Sequence, residues 1–339
     1  MNPIRPITIE QLPPPPAGKV GWPWTLEGLP ATPPADVAGL PRITIVTPSF
    51  NQGAFIEETI RSILLQGYPN LEYIVIDGGS TDGSVAIIER YAPFLDYWIS
   101  EPDAGQSDAI SKGFARATGE LINWLNSDDL MLPGALAAIG ACAKANPGKM
   151  VAGDVIWFGE ELPNEVYKRQ RGLSFENLVK YWTQEALYQQ PGLFYRRSDY
   201  EAVGGLDTTL WNSMDYDLFC RLLRRSSVSY LEQPVVRFRY HESSKTVTNG
   251  DFFMLERLRA SRRYWAGLVL PAEERAAQRY TARWFTRRAV RRLVQGKVQR
   301  ALQLFRHAWR LAPEATLGEP WAMSFGYLRR RLPFVRAGA

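Results

Sequence analysis

The sequence predicts an α/β fold with a mainly parallel central sheet flanked by helices, followed by a C-terminal helical region. Between residues 42 and 145, short β-branched runs alternate with stretches of helical periodicity. Each apolar run ends in polar residues or glycine, and the pattern becomes mostly helical after Asp251. Strands that alternate with helices form parallel sheets, because each helix returns the chain to the side where the previous strand began.

The individual elements follow from the spacing of apolar residues. A short apolar, β-branched run indicates a buried strand, and apolar residues three or four positions apart indicate a helix. The predicted strands span residues 43–48, 73–77, 97–100 and 121–125. The predicted helices span residues 54–66, 83–91, 106–117 and 133–145, and two or three arginine-rich helices over 272–312 break near Gly296.

Polar segments follow all four predicted strands. They span residues 49–51, 77–80, 101–103 and 126–129. In a parallel sheet of this kind, ligands bind beyond the carboxyl ends of the strands. We therefore expect the four segments to converge on one site.

Two flanking segments differ in composition from the α/β region. Residues 1–40 hold ten of the 24 prolines, which predicts an extended arm without a core, docked in part through Trp22 and Trp24. Residues 251–339 carry 19 Lys and Arg against 6 Asp and Glu, a net charge of +13, whereas the whole chain carries +5. The predicted parts are thus an arm over 1–40, an α/β domain over 41–250 and a basic helical region over 251–339.

The basic helical region allows more than one interpretation. It could lie on an anionic membrane surface, or it could be a solvated or oligomer-contact face. Nucleic acid is not expected as a partner, because no recognised nucleic-acid module is present. The residues that suggested the membrane surface are Trp284, Phe285, Arg287, Arg288, Arg291 and Arg292.

Bulk composition limits the class of protein. Apolar residues make up 45% of the chain, which is enough for a sizeable core. The two cysteines exclude a disulfide framework and favour a reducing compartment. No apolar run long enough for a membrane helix and no signal peptide is visible. We therefore expect a cytoplasmic protein, with peripheral contact at the inner membrane face as an extension of that expectation.

Two polar motifs suggest chemistry. Ser127-Asp128-Asp129 places two carboxylates where the sheet opens, and such oxygens suit Mg²⁺ or Mn²⁺. An aspartate-rich cap of the following helix explains the same residues equally well. The turn that begins at Asp77 is rich in glycine and hydroxyl groups, which permits close approach of a polar ligand. Neither a G-x-G-x-x-G fingerprint nor a Walker lysine loop accompanies it.

Taken in order, four motifs resemble those of family 2 glycosyltransferases with the GT-A fold. They are TIVTPSFN at 44–51, IDGGSTDG at 76–83, EPDAGQSDA at 101–109 and LNSDD at 125–129. The order and spacing match over residues 42–245, about 60% of the chain. Four ordered motifs are far more specific than any one of them.

The resemblance implies a nucleotide-sugar site at the strand ends. It implies that Asp77 accepts a hydrogen bond from the base, as a uracil or thymine imide would offer, that Asp103 lies near the same edge, and that Asp128 contacts the ribose. The residues expected to bind the nucleotide sugar are Thr47, Pro48, Ser49, Asn51, Asp77, Ser80, Asp103, Asp108, Lys112, Ser127 and Asp128.

The resemblance also implies a divalent metal ion, Mn²⁺ or Mg²⁺, held by Asp129. The family motif is often written Asp-x-Asp, and Ser127 stands at its first position here. His241 is expected to assist, because an imidazole is a suitable ligand for Mn²⁺. His307, on an arginine-rich helix, is expected to be an ordinary surface histidine.

A general base is implied in the segment 211–222. The first acid of the family's pair is Met214 here, which leaves Asp215. A helix N-terminus favours a charged carboxylate, which can take a proton from an acceptor hydroxyl. A plain helix cap is the alternative role for Asp215, and Asp217 is the reserve candidate for the base.

The predicted function is that of an inverting glycosyltransferase, which moves a sugar from a nucleoside-diphosphate sugar, expected to be a UDP-sugar, to a saccharide or lipid-linked acceptor. A nucleotidyltransferase is one alternative, but residues 49–53 lack the basic side chains of a triphosphate loop. A nucleotide- or sugar-binding protein without transferase activity is another, kept open by Ser127 and Met214. The sequence leaves open the sugar, the acceptor and the oligomeric state.

Overall fold

A computed structural model describes residues 6–25, 39–242, 244–248 and 250–317. The chain forms two compact units. The first unit runs to Phe175 and continues over Glu185–Ser244, and the second joins Glu176–Gln184 to the chain from Lys245 onward. The domain boundaries predicted at residues 40 and 250 stay predictions.

The beginning of the first unit confirms the predicted alternation of strands and helices. β1 pairs in parallel with β2 and with β4, and β2 pairs in parallel with β3. The predicted bounds lie within three residues of those observed. These elements are β1 (Ile43–Ser49), α1 (Ile56–Leu64), β2 (Leu71–Asp77), α2 (Ser84–Tyr91), β3 (Tyr97–Ser100), α3 (Gln106–Phe114) and β4 (Leu121–Trp124).

The rest of the first unit adds strands that the sequence pattern did not predict. The elements are β5 (Leu130–Met131), α4 (Ala135–Ala145), β6 (Met150–Phe158), β7 (Val166–Lys168), β8 (Leu193–Arg196), α6 (Arg197–Ala202), α7 (Met214–Leu223) and β9 (Val228–Arg239). The short helix α5 (Phe175–Val179) starts at the last residue before the chain enters the second unit and otherwise belongs to that unit. The described residues form a nine-stranded sheet with the order β3-β2-β1-β4-β8-β6-β9-β5, and β7 pairs with β6. β8 is antiparallel to both of its neighbours, whereas β6 and β9 are parallel.

The core of the first unit lies against the parallel strands. Every residue of β1 and β2 is buried, as expected where helices cover both faces of a sheet. α1 presents Ile56, Ile60 and Ile63 to this core, and all three side chains are fully buried. The helical spacing read from the sequence is thus the spacing of residues that contact the sheet.

The described part of the N-terminal arm docks on the first unit, as predicted. Trp24 is buried, and Trp22 Nε1 donates a hydrogen bond of 2.9 Å to the carbonyl oxygen of Met131. The fully buried Arg61 donates to the carbonyl oxygen of Pro23 at 3.1 Å. Residues 1–5 and 26–38 of the predicted arm lie outside the described residues.

The second unit is helical. Its described helices after residue 244 are α8 (Lys245–Thr248), α9 (Phe253–Arg262), α10 (Pro271–Val294), α11 (Val298–Leu311) and α12 (Pro313–Leu317). Gly296 separates α10 from α11 and adopts a φ of 73°, which confirms the predicted break. Within the described ranges, no helix combines the length and apolar character needed to cross a bilayer. Residues 318–339 of the predicted basic region lie outside the described residues.

Candidate active site

The carboxyl ends of the first three strands lie side by side, as predicted. Ser49 is in register with Asp77, and Asp77 is in register with Ser100. Asp77 is fully buried, and its Oδ2 accepts hydrogen bonds from the amides of Gly79 and Ser80 at 3.1 and 2.8 Å and from the Ser100 hydroxyl at 2.7 Å. Its Oδ1 accepts from the Ser80 hydroxyl at 2.6 Å. Asp77 therefore orders the glycine-rich turn after β2.

The turn after β1 is tied to the turn after β2. The Asn51 amide donates to Ser80 Oγ at 2.7 Å, and Asn51 Oδ1 accepts from the Thr81 amide at 2.9 Å. Ser49 Oγ is buried and has no hydrogen-bond partner among the described residues. Such an unpaired hydroxyl is uncommon in a folded protein, so it is available to a ligand that reaches this edge.

Two of the predicted donor-binding residues are buried in β1 rather than exposed at the end of the strand. Thr47 is fully buried, and its hydroxyl accepts a hydrogen bond of 3.1 Å from Tyr73. Pro48 is buried in β1 as well. The Thr47 hydroxyl is thus already engaged inside the core. Thr47 and Pro48 would therefore contact a ligand at the edge of the sheet through their backbone atoms.

The turns after β2 and β3 approach each other at a glycine. A Cβ atom on residue 78 would lie only 2.6 Å from Oδ2 of Asp103, which no side chain tolerates without movement. Oδ1 of Asp103 accepts a hydrogen bond of 2.7 Å from the Gly105 amide. Gly78 thus permits the Asp103 carboxylate to lie against the turn that Asp77 orders.

Asp108 and Lys112 brace the segment that carries Asp103. Lys112 Nζ lies 3.0 Å from the Glu101 carboxylate and 3.3 Å from that of Asp108. A hydrogen bond from the Ala104 amide lowers the pKa of Asp108, and Lys112 lowers it further. Both side chains lie at the predicted edge, and their predicted contact with the donor stays a prediction.

The two carboxylates of the Ser127-Asp128-Asp129 motif have different surroundings. Asp129 is fully buried, and its Oδ1 accepts a hydrogen bond of 2.9 Å from the Arg239 amide. Its Oδ2 accepts one of 3.3 Å from Asn126 Nδ2. Burial raises the pKa of the Asp129 carboxyl well above its usual range, and the charge of Asp128 raises it further.

Asp128 meets His241 at the surface of the site. Asp128 Oδ2 lies 2.9 Å from His241 Nε2, and the two side chains are 17% and 15% exposed. The ring of Phe55 packs on His241 with 4.7 Å between ring centroids. The structure brings His241 to Asp128, and its predicted assistance to Asp129 in metal binding stays a prediction.

Strand pairing explains this contact. β5 and β9 are antiparallel, with Leu130 opposite Arg237. Residues that precede Leu130 therefore lie beside residues that follow Arg237. This register brings Asp128 close to the end of β9 and to His241.

Arg239 is a site residue that the sequence interpretation did not single out. Its Nε donates a hydrogen bond of 2.9 Å to the carbonyl oxygen of Asp128, and its guanidinium pairs with Glu58 at 2.7 Å. The same guanidinium lies over the rings of Phe55 and Phe158. The sequence feature that could have indicated Arg239 is its position at the end of a long strand, two residues before His241.

The possible metal ligands around Asp128 suit a divalent cation such as Mn²⁺ or Mg²⁺. One carboxylate oxygen and one imidazole nitrogen lie together, beside the buried carboxyl group of Asp129. Oxygen and imidazole ligands suit Mn²⁺, and oxygen ligands suit Mg²⁺. Across the described residues, no three His, Cys, Asp or Glu side chains group closely enough to hold a metal ion by themselves.

The two candidate bases at the start of α7 differ in their contacts. Asp217 is buried and pairs with Arg221 at 2.8 Å. Arg221 also donates to the carbonyl oxygen of Val203 at 2.7 Å, so this ion pair is part of the packing of α7. Asp215 is only partly buried, and its Oδ1 lies 2.7 Å from the Tyr216 amide.

The start of α7 lies against the start of α3. The Ser107 hydroxyl donates to the sulfur of Met214, and Gln106 Nε2 donates to Asn126 Oδ1 at 2.8 Å. Asn126 in turn contacts Asp129. Packing and hydrogen bonds therefore connect the helix that carries Asp215 to the carboxylates after β4.

The model of glycosyl transferase family 2 matches residues 44–231. The chain belongs to this family. An uncharacterised glycosyltransferase of Mycobacterium tuberculosis is 30% identical over 182 residues, which cover 53% of this chain and 68% of that protein. A second one, from Rickettsia typhi, is 26% identical over 242 residues, which cover 68% of this chain and 72% of that protein.

The chain is also similar to two bacterial proteins, TuaG and TarS. TuaG of Bacillus subtilis, a glycosyltransferase named for teichuronic acid biosynthesis, is 35% identical over 92 residues, 26% of this chain and 36% of that protein. The structure of S. aureus TarS residues 1–349 with UDP-GlcNAc superposes with a TM-score of 0.53 at 14% identity and covers 82% of this chain and 92% of that chain.

This family 2 glycosyltransferase thus has the predicted GT-A-type fold. Family membership makes it a transferase of the glycosyltransferase type with a nucleotide-sugar donor. Family membership thus favours a glycosyltransferase over the two alternatives drawn from the sequence, a nucleotidyltransferase and a binding protein without transferase activity.

Proposed function

We propose that this glycosyltransferase inverts the anomeric centre of a UDP-sugar as it transfers the sugar to a hydroxyl of a saccharide or lipid-linked acceptor, with a divalent metal ion. The contact of 2.9 Å between Asp128 Oδ2 and His241 Nε2 carries the proposal, because it joins an oxygen and a nitrogen ligand beside the donor-binding edge. The kinship with TuaG supports an acceptor in cell-envelope polysaccharide synthesis.

The preference for uracil rests on Asp77. A carboxylate oxygen accepts about two hydrogen bonds, and Asp77 Oδ1 receives one within the protein, from Ser80. The imide N–H of uracil is a donor of the right kind for the remaining lone pair. The unpaired Ser49 hydroxyl and the Asp103 carboxylate, which lies against the turn after β2, offer further polar contacts for the base and ribose. TarS, which shares the fold, binds UDP-GlcNAc.

We assign the metal ion to Asp128 and His241, with the diphosphate of the donor supplying further oxygen ligands. A cation bound there would neutralise the leaving diphosphate. The family resemblance alone implied Asp129 as the ligand and Asp128 as a ribose contact. The reverse assignment is supported by contacts, since both oxygens of Asp129 accept hydrogen bonds within the protein, from the Arg239 amide and from Asn126 Nδ2, whereas Asp128 is partly exposed and lies at the His241 imidazole.

Asp215 is the proposed general base. Its carboxylate takes the proton of the acceptor hydroxyl as that oxygen forms a bond to the anomeric carbon. The bond from this carbon to the diphosphate breaks in the same step, UDP leaves, and the configuration inverts without a protein nucleophile. The ion pair of Asp217 with Arg221 supports the choice, because the Asp217 carboxylate is buried and already engaged with a guanidinium that holds α7 in place.

Contact with an anionic membrane surface is part of the proposal, together with a cytoplasmic location. The surface first suggested on α10 has different contacts: Phe285 is fully buried, and Arg288 and Arg292 pair with the buried Asp251. α11 instead exposes half of Leu302 and Trp309. They line a groove of about 490 Å³ with Phe305, Arg306, Arg310, Thr316 and Leu317.

This groove suits anionic lipid. Its lining contains two arginines and no Asp or Glu, so a phosphate headgroup finds positive charge without repulsion. Tryptophan and arginine are side chains that combine an apolar body with a polar end, as the membrane interface requires. α11 is therefore the proposed lipid-contact face of the second unit.

A thermal-shift experiment tests the donor site. We expect UDP to raise the melting temperature of the full chain in the presence of Mn²⁺ and GDP to raise it less. Asp128→Asn should raise the Mn²⁺ concentration that this stabilisation requires, since it removes one ligand. Stabilisation by GDP alone would contradict the uracil assignment, and no stabilisation by any nucleotide would contradict the donor site.

A further inference from the structure

Trp211 is an exposed indole beside the candidate active site. It lies in the loop immediately before α7, and 53% of its surface is exposed. Among the described tryptophans of the first unit, it is the one with more than a third of its surface exposed. An exposed indole offers a flat apolar face on which a ligand can pack, and its position decides whether a ligand is at hand.

The ring is held against the segment that carries Asp103. A Cβ atom on residue 105 would lie 2.9 Å from Trp211 Cζ3, so only glycine leaves room for the indole. Gly105 also has a φ of 108°, a conformation that other residues rarely adopt. Its amide donates to Asp103 Oδ1 at 2.7 Å. One face of the site is thus shaped to seat this tryptophan.

The same loop leads directly to the proposed base. Asp215 follows Trp211 by four residues and stands in the first turn of α7. That turn contacts α3 through Ser107 and Met214. The indole therefore contacts the donor-side segment at Gly105, and the carboxylate that would receive the acceptor proton follows it by one short stretch of chain.

We infer that Trp211 is the stacking platform for the saccharide acceptor and so a specificity-determining residue. A pyranose ring has one face of C–H groups, and such a face packs on an indole while its hydroxyls stay solvated or point to other groups. A sugar resting on Trp211 presents a hydroxyl toward Asp215. The inference rests on the proposed transfer reaction and adds the residue that selects its acceptor.

Fluorine NMR tests the platform directly. The full chain is labelled with 5-fluorotryptophan, and the Trp211 resonance is identified by its loss in Trp211→Phe. Octyl β-glycosides of glucose, galactose and N-acetylglucosamine are then titrated in the presence of UDP and Mn²⁺. We expect at least one glycoside to shift the Trp211 resonance. If none of the three shifts it, the platform assignment is wrong.

Kinetics with the glycoside that gives the largest shift provide the second measurement. Trp211→Ala should raise the KM for that glycoside roughly tenfold, the usual effect of removing a tryptophan that a ligand covers. Trp211→Phe should recover most of the affinity. The KM for the UDP-sugar and the slow hydrolysis of the donor by water should stay as in the wild type. An unchanged KM for the glycoside in Trp211→Ala would overturn the inference.

Trp309→Ala is the matched control, because that tryptophan is 50% exposed and belongs to the second unit. It should leave the KM for a water-soluble glycoside unchanged. Failure of the proposed function has a separate signature, since a wild-type chain that neither binds nor hydrolyses any UDP-sugar would contradict the transferase site itself and not the role of Trp211.

Discussion

His241 Nε2 lies 2.9 Å from Asp128 Oδ2, although the two residues are 113 positions apart in the sequence. The contact exists because β5 and β9 pair in antiparallel register. It brings the two side chains that we propose as metal ligands to the carboxyl edge of the sheet.

Removal of either side chain should weaken the affinity of the enzyme for the metal ion. We expect His241→Ala and Asp128→Asn each to raise the Mn²⁺ concentration needed for half-maximal transfer by at least about tenfold, since each removes a direct ligand. Initial rates measured over a range of Mn²⁺ concentrations give this value. His307→Ala is the control, because the other histidine of the chain should leave the metal dependence unchanged. Equal metal dependence in His241→Ala and wild type would contradict the assignment.

Asp215 and Asp217 form a matched pair for testing the base. Asp215→Asn should lower kcat by about 10²–10⁴-fold, because general base catalysis contributes in this range, and should leave UDP binding and stability unchanged. Asp217→Asn should instead lower the stability, since it leaves the Arg221 guanidinium without its buried partner. Transfer rates and thermal unfolding of both variants distinguish the roles. Full activity in Asp215→Asn would exclude it as the base.

The close approach at Gly78 gives a test of Asp103. Gly78→Ala should displace the Asp103 carboxylate, because the new Cβ would lie 2.6 Å from its Oδ2, and should weaken UDP binding measured by calorimetry. Gly83→Ala is the control, since no other atom lies within 4 Å of its added Cβ although its φ is 94°. That variant should lose about 1–2 kcal/mol of stability from backbone strain without a comparable loss of UDP affinity. Equal UDP affinity in both variants would argue against a role for Asp103.

Asp251 should make the second unit sensitive to acid. Burial alone would raise the pKa of Asp251, but hydrogen bonds from Arg292 and Arg300 and the charge of Arg288 hold it below the usual 3.8. The carboxylate therefore stabilises the fold above about pH 4, and this contribution is lost as the pH falls through the lowered pKa.

Asp251→Asn should accordingly cost about 1–3 kcal/mol at pH 7, less than a fully buried pair because the arginines are partly exposed. The difference from wild type should shrink at pH 3. Urea unfolding at both pH values measures it. Asp199→Asn is the control, since its contact with Arg225 is longer, at 3.4 Å, and more exposed. If wild type and Asp251→Asn differ equally in their free energy of unfolding at both pH values, the titration of Asp251 does not control the stability of the second unit.

The lipid-contact face on α11 can be tested with vesicles. Arg306→Glu and Trp309→Ala should each reduce cosedimentation of the full chain with phosphatidylglycerol-containing vesicles, by loss of charge attraction and of interfacial packing. Trp211→Ala should bind vesicles like wild type. Equal binding to neutral phosphatidylcholine vesicles would argue against recognition of anionic lipid. Unchanged binding in both α11 variants would exclude this face.

The sequence by itself determined the parallel α/β alternation and the polar strand ends. Apolar periodicity is a local property, and each of β1 to β4 and α1 to α4 was visible within about ten residues. Asp77, Asp103 and Asp128 were found because each stands just after an apolar run. The order of the motifs was enough to predict the family.

Only the tertiary structure decided which of these side chains contact one another and which of them are buried. The pairing of β5 with β9 places His241 beside Asp128 and buries Asp129. It also lets Arg239 donate hydrogen bonds to Asp129 and to the carbonyl oxygen of Asp128. The ion pair of Asp217 and the three arginines around Asp251 also join side chains whose roles the sequence left open. The physical reason is that strand register and burial depend on contacts between distant segments, and those contacts set which carboxylate is enclosed and which stays accessible to a ligand.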